Sequence, residues 1–204
     1  MIELPVFLRG IAIGFSIAAP VGPIGVLCIR RTLVEGRATG LAVGLGAAVA
    51  DAVYGAIAGF GLTAVSSLLV RQQGWLRLAG GLFLCYLGVR TFVARPAERA
   101  AGGTGAGRLG AFASTFGLTL TNPATILSFV AVFAGLGIAG AGSWREAGVL
   151  VAGVFLGSAL WWLILSGTVG ALRTRLDAAI LRRVNRGAGL VLLAFGAAAL
   201  AWRP

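Results

Sequence analysis

The apolar positions of this chain fall in long unbroken runs, not in the alternating pattern of soluble strands or the one-faced pattern of soluble helices. An α-helix needs about 20 mostly apolar residues to cross a bilayer. Six runs meet that requirement closely enough, at residues 6–29, 40–66, 75–94, 110–137, 147–171 and 185–202. The third run holds Arg77 and Arg90, but toward its opposite ends, where long side chains reach the two interfaces. Between the third and fourth runs, Arg95 to Leu109 contains Pro96, Glu98, Arg99 and the string GGTGAG, which cannot build a core and reads as a flexible loop. Ser16 to Ala19 resembles a leader cleavage site, yet the run continues uncharged to Ile29 and no basic cluster precedes Arg9, so it is taken as a first span. The pattern predicts an all-α integral membrane protein of six transmembrane helices.

Two of these runs should not be straight. The string APVGPIGVLCI, Ala19 to Ile29, places Pro20 and Pro23 together with Gly22 and Gly25 inside the first. Each proline lacks an N–H and frees a carbonyl about one turn upstream. Broken backbone at membrane depth is tolerated only where protein buries it or it lines a watery cavity, so the stretch reads as the wall of a pathway. A kink that merely shapes packing is the alternative. The fourth run has a second break, Thr119-Leu-Thr121-Asn122-Pro123-Ala-Thr125. Its hydroxyls and amide can either satisfy freed carbonyls or bind a substrate's carboxylate and amine, and a broken helix exposes an N-terminus suited to a carboxylate.

The two halves of the chain resemble each other. Residues 81–88 match 189–196 at an offset of 108, and Arg95-Pro96 match Arg203-Pro204 at the same offset. An offset of 107 lays Gly46, Asp51 and Tyr54 over Gly153, Ser158 and Trp161, and an offset of 100 lays Gly22 and Pro23 over Asn122 and Pro123. Three spans per half is an odd number, so the second half must insert the opposite way from the first. The expected plan is therefore two inverted three-helix repeats, 1–94 and 110–204, joined by a cytoplasmic loop, 95–109, with broken helices in spans 1 and 4.

Composition agrees with a membrane protein: 58% of residues are hydrophobic, 11% are charged and mean hydropathy is +0.96. The 33 glycines suit helices that associate in lipid through small residues. All 17 basic residues are arginine, and they gather at the ends of runs and in the connections, so topology explains the net charge of +11 and no nucleic-acid partner is expected. Twelve arginines fall at the connections after runs one, three and five, against five on the other side. The positive-inside rule then places those connections in the cytoplasm and both termini outside. Histidine is absent and the only cysteines are Cys28 and Cys85. No metal, cofactor or enzymatic activity is expected from that inventory.

Asp51 is the sole acid in the interior of any run. Burying a charge at the bilayer centre costs about 2.5 to 3.5 kcal/mol on insertion scales, so an acid kept there is a functional candidate, able to exchange a proton or hold a cation. Tyr54, one turn along the same face, is its expected partner. The alternative is an aspartic acid held neutral by a neighbouring helix.

The string from Ala19 to Gly61, followed by LTLTNPATILSF after the middle loop, is similar to the LysE/RhtB family of amino-acid exporters over nearly the whole chain. In that family the first break usually reads Pro-Gly-Pro without interruption, and Asn-Pro is usually followed by lysine. Here Val21 separates Pro20 from Gly22, and Ala124 follows Pro123. The resemblance implies proton-driven export of amino acids or related metabolites from a bacterial plasma membrane. It carries motif roles onto Pro20, Gly22, Pro23, Asp51, Asn122 and Pro123, which join Tyr54, Thr125 and Ser158 as the candidate site. The expected partners are an amino acid, protons and the bilayer, with a homo-oligomer left open. A transmembrane thiol carrier is similar in having a cysteine beside the proline of each inverted half, but the counterpart of Cys28 at offset 100 is Ser128. A metal exporter would need more ligands than Asp51, two thiols and a few hydroxyls.

Overall fold

The first apolar run forms two helices that meet at 81°. α1 (Glu3–Ala18) stops ahead of Pro20, and α2 (Pro23–Glu35) starts with its proline at the first helical position, where a missing N–H costs no intrahelical bond. Gly22 caps α2, its carbonyl accepting from Val26 N–H at 3.1 Å. Five further helices follow in this computed structural model: α3 (Arg37–Gly59), α4 (Gln73–Val93), α5 (Gly105–Leu120), α6 (Trp144–Leu172) and α7 (Ala178–Ala201), with residues 125–129 also helical. The structure describes residues 3–20, 22–60, 71–93, 105–122, 125–129, 143–172 and 178–201, and no strand occurs among them.

α3, α6 and the Arg182–Ala201 part of α7 are long and apolar enough to cross a membrane, and α1 with α2, apolar enough together, forms a broken span or a re-entrant loop. α4 contributes a shorter apolar stretch, Leu78–Val93. The fourth expected run, 110–137, falls partly outside the described residues, as do Val21, Pro123 and Ala124.

Local sequence sets several of these boundaries. Gly36 joins α2 to α3 at φ 103°, a left-handed conformation that a side chain would strain, and its N–H returns to the Thr32 carbonyl. α6 opens on a capping box: Glu146 N–H donates to Ser143 Oγ while Ser143 N–H donates to Glu146 Oε2.

Glycines let the helices touch through their backbones. Along α1 and α6, Phe7 and Gly10 meet Gly153, Ile11 meets Gly157 and Gly14 meets Val154, so the two helices run parallel. A methyl placed on Gly14 or Gly157 would overlap the facing main-chain carbonyl. α3 and α5 touch the same way, Gly46 lying against Phe112 and Phe116. α3 crosses α6 antiparallel, with Gly44 beside Trp162, Gly55 beside Val154 and Gly59 beside Leu150. α4 and α7 are also antiparallel: Gly81 faces Leu200 and Gly196, while Gly88 faces Leu193 and Gly189. Such contacts suit helices in lipid, where close van der Waals approach and not water exclusion drives association.

Among the described residues, two apolar clusters fill the interior. One gathers Ala18 and Ile24, on either side of the first break, with Ala47 and Ala48 of α3, Leu118 of α5 and Trp162 of α6. The other gathers Tyr54, Ile126, Phe129 and Val154, with Leu120 against it.

Candidate functional site

Asp51 lies on α3 between the residues of these two clusters and is 3% exposed. An isolated buried carboxyl needs a hydrogen-bond partner. It has one in Ser158 of α6, itself fully buried, whose Oγ donates to Asp51 Oδ2 at 2.7 Å. Trp162, four residues further along α6, donates its Nε1–H to the same Ser158 Oγ at 3.2 Å. The three side chains form a chain of polar groups within apolar surroundings, at the crossing of two helices that each qualify as a span. A neutral or a charged Asp51 can accept from Ser158, so the arrangement tolerates both protonation states of the acid.

Tyr54 does not turn to Asp51. Its hydroxyl donates to the Leu120 carbonyl at 2.6 Å, and the Asp51 partner that sequence proximity suggested on the same helix is supplied by Ser158 from the helix opposite. The reason lies in the second break. The end of α5 leaves carbonyls of its last turn to be satisfied outside the regular α-helical ladder. Thr121 N–H and Oγ1–H serve Gly117, Thr121 Oγ1 also reaches Leu118, Asn122 N–H serves Thr119, and Tyr54 serves Leu120. Thr119 and Thr115 bond back to carbonyls of their own helix. The hydroxyls expected at this break are thus largely committed to closing the helix end.

Past the break, the Asn122 carbonyl accepts from Ile126 N–H at 3.1 Å, as the Gly22 carbonyl accepts from Val26 N–H. Gly22 and Asn122 are therefore the same kind of helix start, at the offset of 100 that the sequence comparison used. Pro20 is exposed in the bend of the first break, Pro23 is half-buried at the start of α2, and Thr125 begins the helical residues 125–129. Pro123 lies outside the described residues. The structure brings Asp51 and Ser158 into contact and sets Tyr54 at the second break. The first break joins the same interior through Ala18 and Ile24.

Sequence reading missed Trp162 as the third member of the Asp51 group, although its i+4 spacing from Ser158 was available. It also missed a second polar cluster. Arg30 of α2, 9% exposed, donates from Nε to Asn185 Oδ1 of α7 at 3.0 Å, and its NH1 lies 3.8 Å from Glu35 Oε1. Arg31 forms a closer ion pair with the same carboxylate oxygen. Nothing in sequence spacing joins residues 30 and 185.

Broken helices, glycine-mediated contacts and a buried acid at a helix crossing define a polytopic membrane protein built around an internal polar site. Its sequence matches the model of the LysE type translocator family over residues 15–202. The chain belongs to that family, whose members are transporters and not enzymes. It is also 30% identical over 197 residues to the Bacillus subtilis (strain 168) protein named "Putative amino acid efflux protein YcgF", a match that covers 94% of this chain and 93% of that one. No solved structure matches the chain.

Proposed function

We propose that the protein exports amino acids or closely related metabolites from the bacterial cytoplasm in exchange for protons. The site lies between two inverted three-helix repeats, 1–94 and 110–204, joined by a cytoplasmic loop at 95–109. The efflux named for the B. subtilis relative supports the substrate class. The observation that carries the mechanism is the Asp51–Ser158 hydrogen bond, because its two ends are equivalent positions of the two halves at offset 107. Contacts elsewhere follow the same exchange of halves. Gly88 meets Leu193 and Gly189 as Gly196 meets Cys85 and Gly81, each pair related by the offset of 108. Gly46 touches the α5 backbone as Gly153 touches that of α1.

In this reading, Pro20, Gly22, Pro23, Asn122, Pro123 and Thr125 form the two broken walls of the site, and Tyr54 ties one of them to the helix that carries Asp51. Asp51 takes up a proton when open to the outside and releases it to the cytoplasm, and the amino acid leaves in the other half of the cycle. The membrane is the inner membrane, with both termini outside. Trp75 and Trp144, 72% and 81% exposed, start α4 and α6 on the face this orientation assigns to the exterior, where interfacial tryptophans anchor helices.

Counterflow in proteoliposomes tests the proposal: vesicles preloaded with one unlabelled amino acid from a panel should accumulate the labelled form of the same compound. Counterflow for no amino acid, from protein that is folded and correctly inserted, overturns the substrate class. Counterflow that persists while an imposed proton gradient drives no net export overturns the coupling.

A further inference from the structure

Among the described residues, the cluster at the far end of α2 has more positive charge than its surroundings neutralise. Arg30 and Arg31 share one carboxylate, that of Glu35, and Asn185 offers Arg30 only a neutral oxygen. Arg31 Nε is buried with no hydrogen-bond partner, and so is the Thr39 hydroxyl, 1% exposed near the start of α3. A buried N–H left without an acceptor is costly, and a buried cation lacking its full counter-charge more so. The deficit at the two arginines would be met by a ligand that brings negative charge and oxygen acceptors together. Arginine's planar fork suits a carboxylate in this role.

We infer that Arg30, held by Asn185 and backed by Arg31, is a specificity-determining residue that receives the carboxylate of the exported amino acid at the cytoplasmic end of the pathway. The inference rests on the export reading above and adds a second site to it. α2 packs against α3 through Cys28, which donates to the Gly40 carbonyl. Gly40 and Asp51 are separated along α3 by about 16 Å at 1.5 Å per residue. The Arg30 cluster is therefore a docking point on the way to the Asp51 level. Glu35 acts there as an internal competitor: it occupies the arginines when no substrate carboxylate is present, and it keeps the buried charge of Arg30 tolerable.

The test compares each transported amino acid with its own methyl ester, which keeps the side chain and amine but has no carboxylate charge. In counterflow from inside-out vesicles of phosphatidylcholine, the wild-type protein should be inhibited by the free acid at about tenfold lower concentration than by the ester, the discrimination expected of a site built to bind a charged group. Arg30→Gln should bring that ratio close to one, Arg30→Lys should keep part of it, and Glu35→Gln should increase it by removing the competitor. Loss of transport in Arg30→Gln through misfolding leaves Arg30→Lys and Glu35→Gln to decide. An unchanged ratio in either of those two refutes the inference. An effect seen only when phosphatidylglycerol is added assigns the cluster to a lipid headgroup and refutes it as well. Absence of all counterflow by the wild-type protein refutes instead the export reading beneath it.

Discussion

The Asp51–Ser158–Trp162 chain makes opposite predictions for two substitutions that touch the same hydrogen bond. Ser158→Ala removes both the donor to Asp51 and the acceptor from Trp162, leaving two buried polar groups unpaired. An unpaired buried group costs about 1–3 kcal/mol. Hydrogen bonds between membrane helices average only about 0.6 kcal/mol in double-mutant cycles and reach about 1.7, because the unfolded chain in the bilayer finds other partners. Loss of the interhelical bond to Asp51 together with the bond from Trp162 within α6 places Ser158→Ala at about 1.5–3 kcal/mol of destabilisation. Asp51→Asn keeps an acceptor for Ser158 in its amide oxygen and removes the cost of ever charging the site, so its stability should stay within about 1 kcal/mol of wild type. Unfolding in detergent, followed by tryptophan fluorescence, measures both values. The double variant gives the coupling energy, expected at about 0.6–1.7 kcal/mol. In transport, Asp51→Asn should retain exchange of substrate down its own gradient and lose uphill export, because the neutral form is already part of the proposed cycle. If Asp51→Asn destabilises as much as Ser158→Ala, the fold depends on the carboxylate itself. If it still builds a substrate gradient under an imposed proton gradient, Asp51 does not couple.

Four further outcomes are expected. Tyr54→Phe leaves the Leu120 carbonyl without its donor and should cost about 1–2 kcal/mol, read by the same unfolding assay. Gly157→Leu inserts a side chain where Ile11 main chain lies and should abolish assembly of α1 on α6, seen as loss of folded protein, while Gly148→Leu, at a position with open space around it, should be tolerated. Cys28→Ser with Cys85→Ser should leave export largely intact, since both are free thiols and Cys28 Sγ serves a packing contact with Gly40. A C-terminal reporter that is active only in the cytoplasm should stay silent, and a strong signal from it reverses the assigned orientation.

The parts of the fold legible in the sequence were those fixed by covalent chemistry or by repetition. Pro20 and Pro23 made the first break unavoidable, and the offsets of 107 and 100 paired Asp51 with Ser158 and Gly22 with Asn122. What could not be read was which way each group turns once helices from distant parts of the chain arrive. Tyr54 lies one turn from Asp51, but the orphan carbonyl of Leu120 is the stronger claim on its hydroxyl. Thr121 has the composition of a ligand, yet the end of its own helix uses it. Arg30 looked like a topology marker because the positive-inside rule explains any arginine at the end of a span. Its burial against Asn185 depends on α7 packing on α2, 155 positions away.

The glycine contacts also bear on how the protein is made. Gly10 and Gly14 of α1 have their surface on α6, Gly46 of α3 has its surface on α5, and Gly81 and Gly88 of α4 have theirs on α7. Each of these partners is synthesised after the helix it completes. A ribosome that has delivered only residues 1–94 has therefore made α1, α3 and α4 before the backbone surfaces that Gly14, Gly46 and Gly88 fit. α1 waits for α6, and α4 waits for α7. The α1–α6 and α4–α7 contacts can therefore form only after the later helix of each pair is made, and a chain truncated ahead of α7 lacks the surface that covers the glycine face of α4.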